Sequence, residues 1–214
     1  MEKKKALSRA PQRRTIERVS LLLDSACDLL LELNVDEISL ADISNRADIP
    51  LPSIYHFFPN KVSLFAALAQ RCHQEIAACI DTYMPHDALT WQDFIECILK
   101  TSVEFLNSNP AVMKLFLGAG VSAEVRKADV VGNQHAARKL AEVLSGKFAL
   151  SDGLDVEMKM AISFAISDGV WQLSYAKHGR ISDEFVVEGV RASIAYLRSY
   201  FPEFMARRVV ERKP

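Results

Sequence analysis

The chain has 214 residues, half of them apolar and a quarter charged, with 8 Gly and 8 Pro. That composition supplies a real core and excludes disordered, collagen-like and low-complexity architectures. Lys and Arg number 26 against 27 Asp and Glu, a formal charge of −1, which argues against the uniformly basic surface common in nucleic-acid binders. No run approaches the ~18 apolar residues of a membrane-spanning helix. The basic start, Lys3 to Lys5 and Arg9, leads into Pro11, Gln12, Arg13 and Arg14 rather than into an apolar leader segment. A soluble, cytoplasmic protein without membrane association is therefore expected. The four cysteines, Cys27, Cys72, Cys79 and Cys97, lack CxxC spacing and read as reduced core thiols. Cys72 and Cys79, seven apart, leave a redox or metal role as the alternative to packing.

Helical periodicity recurs nearly everywhere and apolar/polar alternation nowhere, so the fold is expected to be all-α. Val19, Leu22, Leu23, Ala26, Leu29, Leu30 and Leu33 define a first helix over about 12–33, ended by Asn34. Ser39 with Asp42 three residues on predicts the capped start of a helix over 40–47. Asp48 makes the turn, and Pro50 and Pro52 suit only the first turn of a third helix over 51–58. Asn60 caps a fourth helix marked by Leu64, Leu68, Cys72, Ile76 and Cys79 and closed before Pro85. Trp91, Phe94, Ile95, Ile98, Ser102 and Phe105 mark a fifth, 111–117 a short sixth, and about 122–144 a seventh. Two apolar helices follow over 156–178 and 182–201, then a basic tail with Arg207, Arg208, Arg212 and Lys213. Nine to ten helices are expected.

Two short helices joined by a tight turn and packed on a longer one describe a helix-turn-helix. Ile43, Ala47, Ile49, Ile54 and Phe58 close a small core, leaving Leu51, Ser53, Tyr55 and His56 on the outer side of the third helix. That division suits a helix reading a major groove, and it equally suits an ordinary helical hairpin. The literal sequence tips the balance. Ser39-Leu40-Ala41-Asp42-Ile43-Ser44, followed by Ala47 through Phe58 and Pro59-Asn60-Lys61, resembles the DNA-binding signature of the TetR family of bacterial transcriptional regulators over about residues 15–68. The sequence departs from that family at Asn34, Asp48, Pro50 and Val62, where Gly, Gly, Ser or Thr, and Glu are usual. Asn34 and Asp48 tolerate the left-handed backbone that Gly would supply.

The resemblance implies an arm over 1–14, a DNA-binding domain over 15–62, and an effector-binding and dimerisation domain over 63–214. It implies operator contacts from Ser53, Tyr55 and His56 and a phosphate grip from Lys61. Leu51 lies on the same face, and Ser39 caps a helix whose N–H groups can meet a phosphate. No Arg or Asn stands on the third helix to read guanine or adenine in bidentate fashion. Over residues 1–18 seven basic residues face two acidic ones, a local charge of plus five. Arg13 and Arg14 therefore become candidate phosphate or minor-groove contacts, with a solubilising tail as the bland alternative.

By the same resemblance the last two long helices form a four-helix homodimer interface. Gly169, Val186, Val190, Ser193, Ile194 and Leu197 are its candidates. Phe94, Phe105, Met113, Phe116, Trp171 and Tyr175 are candidate walls of an effector pocket, with Asp168 or His135 as polar anchors. Aromatic and Met residues at helical spacing also serve as plain core. The expected function is a cytoplasmic, nucleoid-associated dimeric repressor that binds a palindromic operator and is released by a small, largely apolar or aromatic effector. The alternative is a DNA binder of the same fold whose C-terminal domain docks a protein. His73, near Cys72 and Glu75, is discounted because adjacent helical positions face apart. Without a Gly-rich phosphate loop, HExxH, nucleophile elbow or metal-spaced cluster, no cofactor or metal is expected, and an enzyme is a distant third reading.

Overall fold

In the computed structural model, the backbone is described over residues 2–85 and 88–208, and the side chains over 13–85 and 88–208. The described residues form nine helices and one isolated bridge. These are α1 Glu2–Glu32, α2 Leu40–Ala47, α3 Leu51–Phe57, α4 Lys61–Thr82, α5 Trp91–Ser108, α6 Pro110–Leu117, α7 Ala123–Lys147, α8 Val156–His178 and α9 Asp183–Leu197. None is long and apolar enough to cross a membrane among the described residues.

The expected helix starting near Gln12 begins at Glu2 instead, so the basic arm continues α1. Ala, Leu, Lys, Arg, Glu and Gln dominate this stretch and favour the helix, against the single N–H that Pro11 removes from the ladder. The side chains of Lys3, Lys4, Lys5 and Arg9 lie outside the described residues, as do Arg212 and Lys213.

The head is built as its capping residues dictate. The Ser39 hydroxyl accepts from the Asp42 N–H, and the Asp42 carboxylate accepts from the Ser39 N–H at 2.8 Å, closing a capping box. Asp48, at φ 52°, is the one non-glycine in the left-handed region among the described residues. Its N–H and that of Ile49 donate to the Ser44 carbonyl, while the Ser44 hydroxyl donates to the Ile49 carbonyl at 2.6 Å. These bonds stitch the turn that sets α3 across α2. Ile38, Ile43 and Ile54 are fully buried beneath it, against Leu22, Ala26 and Leu30 of α1.

α4 leaves the head capped by the Asn60 carboxamide, which accepts from the Ser63 N–H at 2.8 Å. It runs past α1, where Arg71 pairs with Asp24 at 2.6 Å, and on to α5 and α7. The larger body closes at its far end around Trp91, whose indole N–H donates to the Pro202 carbonyl at 2.8 Å while Phe201 packs edge-on against its ring. The turn between α8 and α9 is held by Asn107 of α5, which donates to and accepts from Ile181, and by the Ser174 hydroxyl. Cys72 is buried, and burial chiefly pushes its thiol up to about 12, so it stays an uncharged core group at neutral pH. All four cysteines are free thiols.

Candidate DNA interface and ligand cavity

Every α3 side chain except Ile54 reaches the surface at least in part. Tyr55 and His56 are exposed on its outer side, with Leu51 and Ser53 half-buried beside them. Arg13 and Arg14 are exposed on α1, Arg13 paired with Glu17 at 2.8 Å. Ser39, Tyr55 and Lys61 line one shallow concavity together with Asp36, Pro59 and Asn60. Within it two of the expected contacts are already engaged. The Ser39 hydroxyl donates to Asp42 at 2.6 Å, and this bond is the largest influence holding the Asp42 carboxyl below its ordinary value.

Lys61 is the more fully engaged of the two. Its ammonium donates to the carbonyls of Val35, Asp36 and Ile38 at 3.2, 2.7 and 2.9 Å. An ammonium has three N–H donors, so all are turned onto the α1–α2 loop and none toward a phosphate. The resemblance implies a phosphate grip for this residue; in this structure the same ammonium clasps the α1–α2 loop.

Between α4, α5, α6, α7 and α8 lies a cavity of about 480 Å³, within the range that holds a small organic ligand. Its wall is mostly apolar, with Ile76, Ile80, Leu99, Phe116, Phe164 and Trp171 among its members. Of the residues expected there, it brings together Phe116, Trp171 and Asp168. The other five lie elsewhere. Phe94 and Met113 are ordinary core, Phe105 and Tyr175 are half-buried against that core, and His135 is exposed. Burial raises the Tyr175 hydroxyl above its usual value without bringing it to the cavity.

The polar members that sequence reasoning missed come chiefly from α7. Arg126, Asp129 and Asn133 share one face at helical spacing, and His73 reaches the same wall from α4. His73 Nε2 lies 2.9 Å from Asp129 Oδ1, its ring packs on Phe116 at 4.9 Å, and it sits where a Cβ on Gly132 would come within 2.2 Å. The Arg126 guanidinium donates to the Phe116 carbonyl at 3.0 Å. The Asn133 carboxamide donates to Asp168 Oδ2 at 3.0 Å. Desolvation drives the Asp168 carboxyl up to about 7, the Asp129 carboxylate pushes the same way, and the Asn133 bond opposes both.

The notch at Gly132 gives a direct test. Gly132→Ala gains about 1 kcal/mol of helix propensity, but overpacking against a ring fixed by Asp129 costs roughly 1 to 3 kcal/mol. A net loss of about 1 kcal/mol in urea unfolding is expected, and a gain would show that the ring yields freely.

Three of the six expected dimer residues serve this chain's own packing. Val190, Ser193 and Leu197 are buried on the α8–α9 seam, where the Ser193 hydroxyl donates to the Ser163 carbonyl at 3.0 Å. Val186 and Ile194 are half-buried and Gly169 is exposed. Large apolar side chains left open on these helices are Met158, Leu173 and Val187, 52%, 65% and 50% exposed.

Comparisons with known proteins agree on the fold. A family model described as bacterial regulatory proteins of the tetR family matches residues 22–68. A second, tetracyclin repressor-like C-terminal domain, matches residues 89–201. The nucleoid occlusion factor SlmA of Actinobacillus pleuropneumoniae serotype 5b is 24% identical over 115 residues, 53% of this chain and 56% of that protein. The match thus spans little more than half the length of that curated relative. A TetR-family regulator from Streptomyces coelicolor superposes with a TM-score of 0.68 at 23% identity, covering 86% of this chain and 99% of the other. RolR in complex with its ligand resorcinol superposes at 0.66 with 18% identity, covering 90% and 91%. With both halves matched and more than half of its length inside one family domain, the chain belongs to the TetR family of DNA-binding transcriptional regulators.

Proposed function

We propose that the protein acts as a homodimeric repressor that holds a palindromic operator through α3 and leaves it when a small, largely apolar or aromatic molecule enters the cavity. One observation carries this reading. α4 supplies His73, Ile76, Ala77 and Ile80 to the cavity wall, and the same helix begins at Lys61, the clasp of the head's loop. A ligand that repositions α4 therefore acts on the mounting of α2 and α3. A second strut runs alongside, since Lys114 of α6 donates to the Leu33 carbonyl at the end of α1. The fold shared with RolR, which binds resorcinol in its own complex, supports a cavity of this kind as a ligand site.

Dimerisation follows from the docking geometry, because half-sites of a palindrome lie about 34 to 36 Å apart and need two recognition helices. Residues 1–14, 15–62 and 63–214 serve as arm, reader and sensor in this reading. The arm extends α1 along the phosphates with Arg13 and Arg14 foremost, and the cytoplasmic nucleoid is its place of action.

Selection of genomic fragments on the purified protein tests it. Enrichment of one inverted repeat is expected, with binding reduced at least about tenfold by Tyr55→Ala combined with His56→Ala, while thermal stability holds because both side chains are exposed. Failure to enrich any inverted repeat overturns the reading. Leu173→Glu with Val187→Glu is expected to give a monomer by sedimentation.

The match to nucleoid occlusion factors favours a second reading, a DNA binder whose C-terminal domain docks a protein. The two separate on operator release. A small molecule that frees the DNA supports the sensor, and release only by a protein supports docking.

A further inference from the structure

The cavity has one polar band in an apolar wall, and one carboxyl in that band is paired only with a neutral amide. Asp168 enters from α8 and is half-buried on the cavity wall. Its described hydrogen bonds give it one partner, the neutral Asn133 carboxamide. The groups that act on its carboxyl are burial, the Asp129 carboxylate and that amide. The two basic side chains in the wall are engaged elsewhere: Arg126 with the Phe116 carbonyl, and His73 with Asp129. α5 and α6 contribute apolar side chains and Ser102. Among the described residues no cation is set against Asp168, although burying an unpaired carboxylate is costly.

Resting on the sensor reading above, we infer that the cavity takes an apolar molecule carrying one positive charge, an alkyl- or arylammonium. Its cationic centre lies against Asp168, and its body lies along Ile76, Ile80, Leu99 and Phe164. Two features beyond the carboxylate suit such a guest. Trp171 and Phe116 present aromatic rings to the same space, and a cation gains from a ring face within about 6 Å. The rest of the wall is mostly apolar, which suits the body of such a guest. The carboxyl, half ionised near pH 7 in the empty cavity, loses its proton as the cation enters, so binding tightens as the pH rises toward 8.

Calorimetric titration of the full chain with decyltrimethylammonium, decanol and decanoate at pH 7.5 tests this with one tail and three head charges. The cation is expected to bind at least about tenfold more tightly than the alcohol, the range of a charge-assisted contact, and decanoate most weakly. Asp168→Asn is expected to abolish the preference, with decanol still bound as evidence that the cavity is intact. Weakening of the cation from pH 8 to pH 6 is expected in the parent chain and not in the variant. The inference is overturned if the cation binds no more tightly than decanol, if decanoate wins, or if the preference survives Asp168→Asn. Should decanol or decanoate bind and release operator DNA, only the charge assignment falls. If none of the three binds while the chain still holds DNA, the sensor reading falls with it.

Discussion

Asp168→Asn is expected to stabilise the folded chain at pH 8 by roughly 1 to 4 kcal/mol, an unusual sign for a substitution at a half-buried site. The sign follows from the proton. An ordinary Asp carboxyl loses its proton near 3.8, whereas in the fold Asp168 holds it up to about 7, mainly because burial disfavours the charge. The folded chain therefore binds this proton more tightly than the unfolded chain does. No penalty exists below about pH 4. It grows as the pH rises from 4 toward 7 and is complete above 7. The gap, at about 1.4 kcal/mol per pH unit, sets a ceiling of roughly 4 kcal/mol. Asn keeps the shape and the bond to Asn133 without a charge. Urea unfolding at pH 5 and pH 8 should show a parent chain that weakens over this interval and a variant with a flatter profile. Equal profiles would mean that water filling the cavity solvates the carboxylate.

Lys61→Met is expected to cost roughly 2 to 4 kcal/mol of stability, because three carbonyls of the α1–α2 loop lose an ammonium donor at a half-buried site. Operator affinity should fall with it, since that loop leads into the capping box that starts α2. The salt dependence separates this role from a direct phosphate grip. Loss of one phosphate contact lowers the slope of log affinity against log salt by about 1. The slope measured at a temperature where the variant is folded should instead match the parent, and a reduced slope would return Lys61 to the DNA. Arg is a poor replacement, because a planar fork does not converge on three carbonyls as a tetrahedral ammonium does.

The head was legible because its signals are local. A capping box needs only Ser39 and Asp42, and the turn needs only a residue such as Asp48 that tolerates the left-handed backbone, so α2 has the bounds expected of it. α8 likewise runs over its expected 156–178, stopped at Gly179 with φ 68°. The start of α1 was misjudged because Pro11 outweighed the helix formers around it. The cavity was legible only in part, since an aromatic or Met residue carries no mark of which helix it will face. Phe94 and Phe116 look alike in sequence, yet one fills the core and the other bounds a void. The α7 face bearing Arg126, Asp129 and Asn133 reads as a solvated face until α4 and α8 are known to cover it. The small residues of α9 announced a close helix contact correctly but not with whom. Ser193 and its neighbours meet α8 of the same chain.

Charge was the other misleading total. A sum of −1 averages a plus-five beginning with a remainder of minus six, so the total hides a basic segment ahead of an acidic body.

The helix that joins head and cavity also sets a mechanical scale. α4 has 22 residues, about 33 Å at ~1.5 Å per residue, and His73 stands about 18 Å from Lys61 along its axis. A tilt of only about 6° about the His73 notch would carry the Lys61 end through about 2 Å. The notch has no slack on the α7 side, because the ring already occupies the space of the missing Gly132 side chain. A helix turned about that notch thus changes the grip at the far end by the width of a hydrogen bond. The leverage lies in where the pivot sits, so on the sensor reading proposed above a small ligand that presses α4 away from that pivot suffices to work the head.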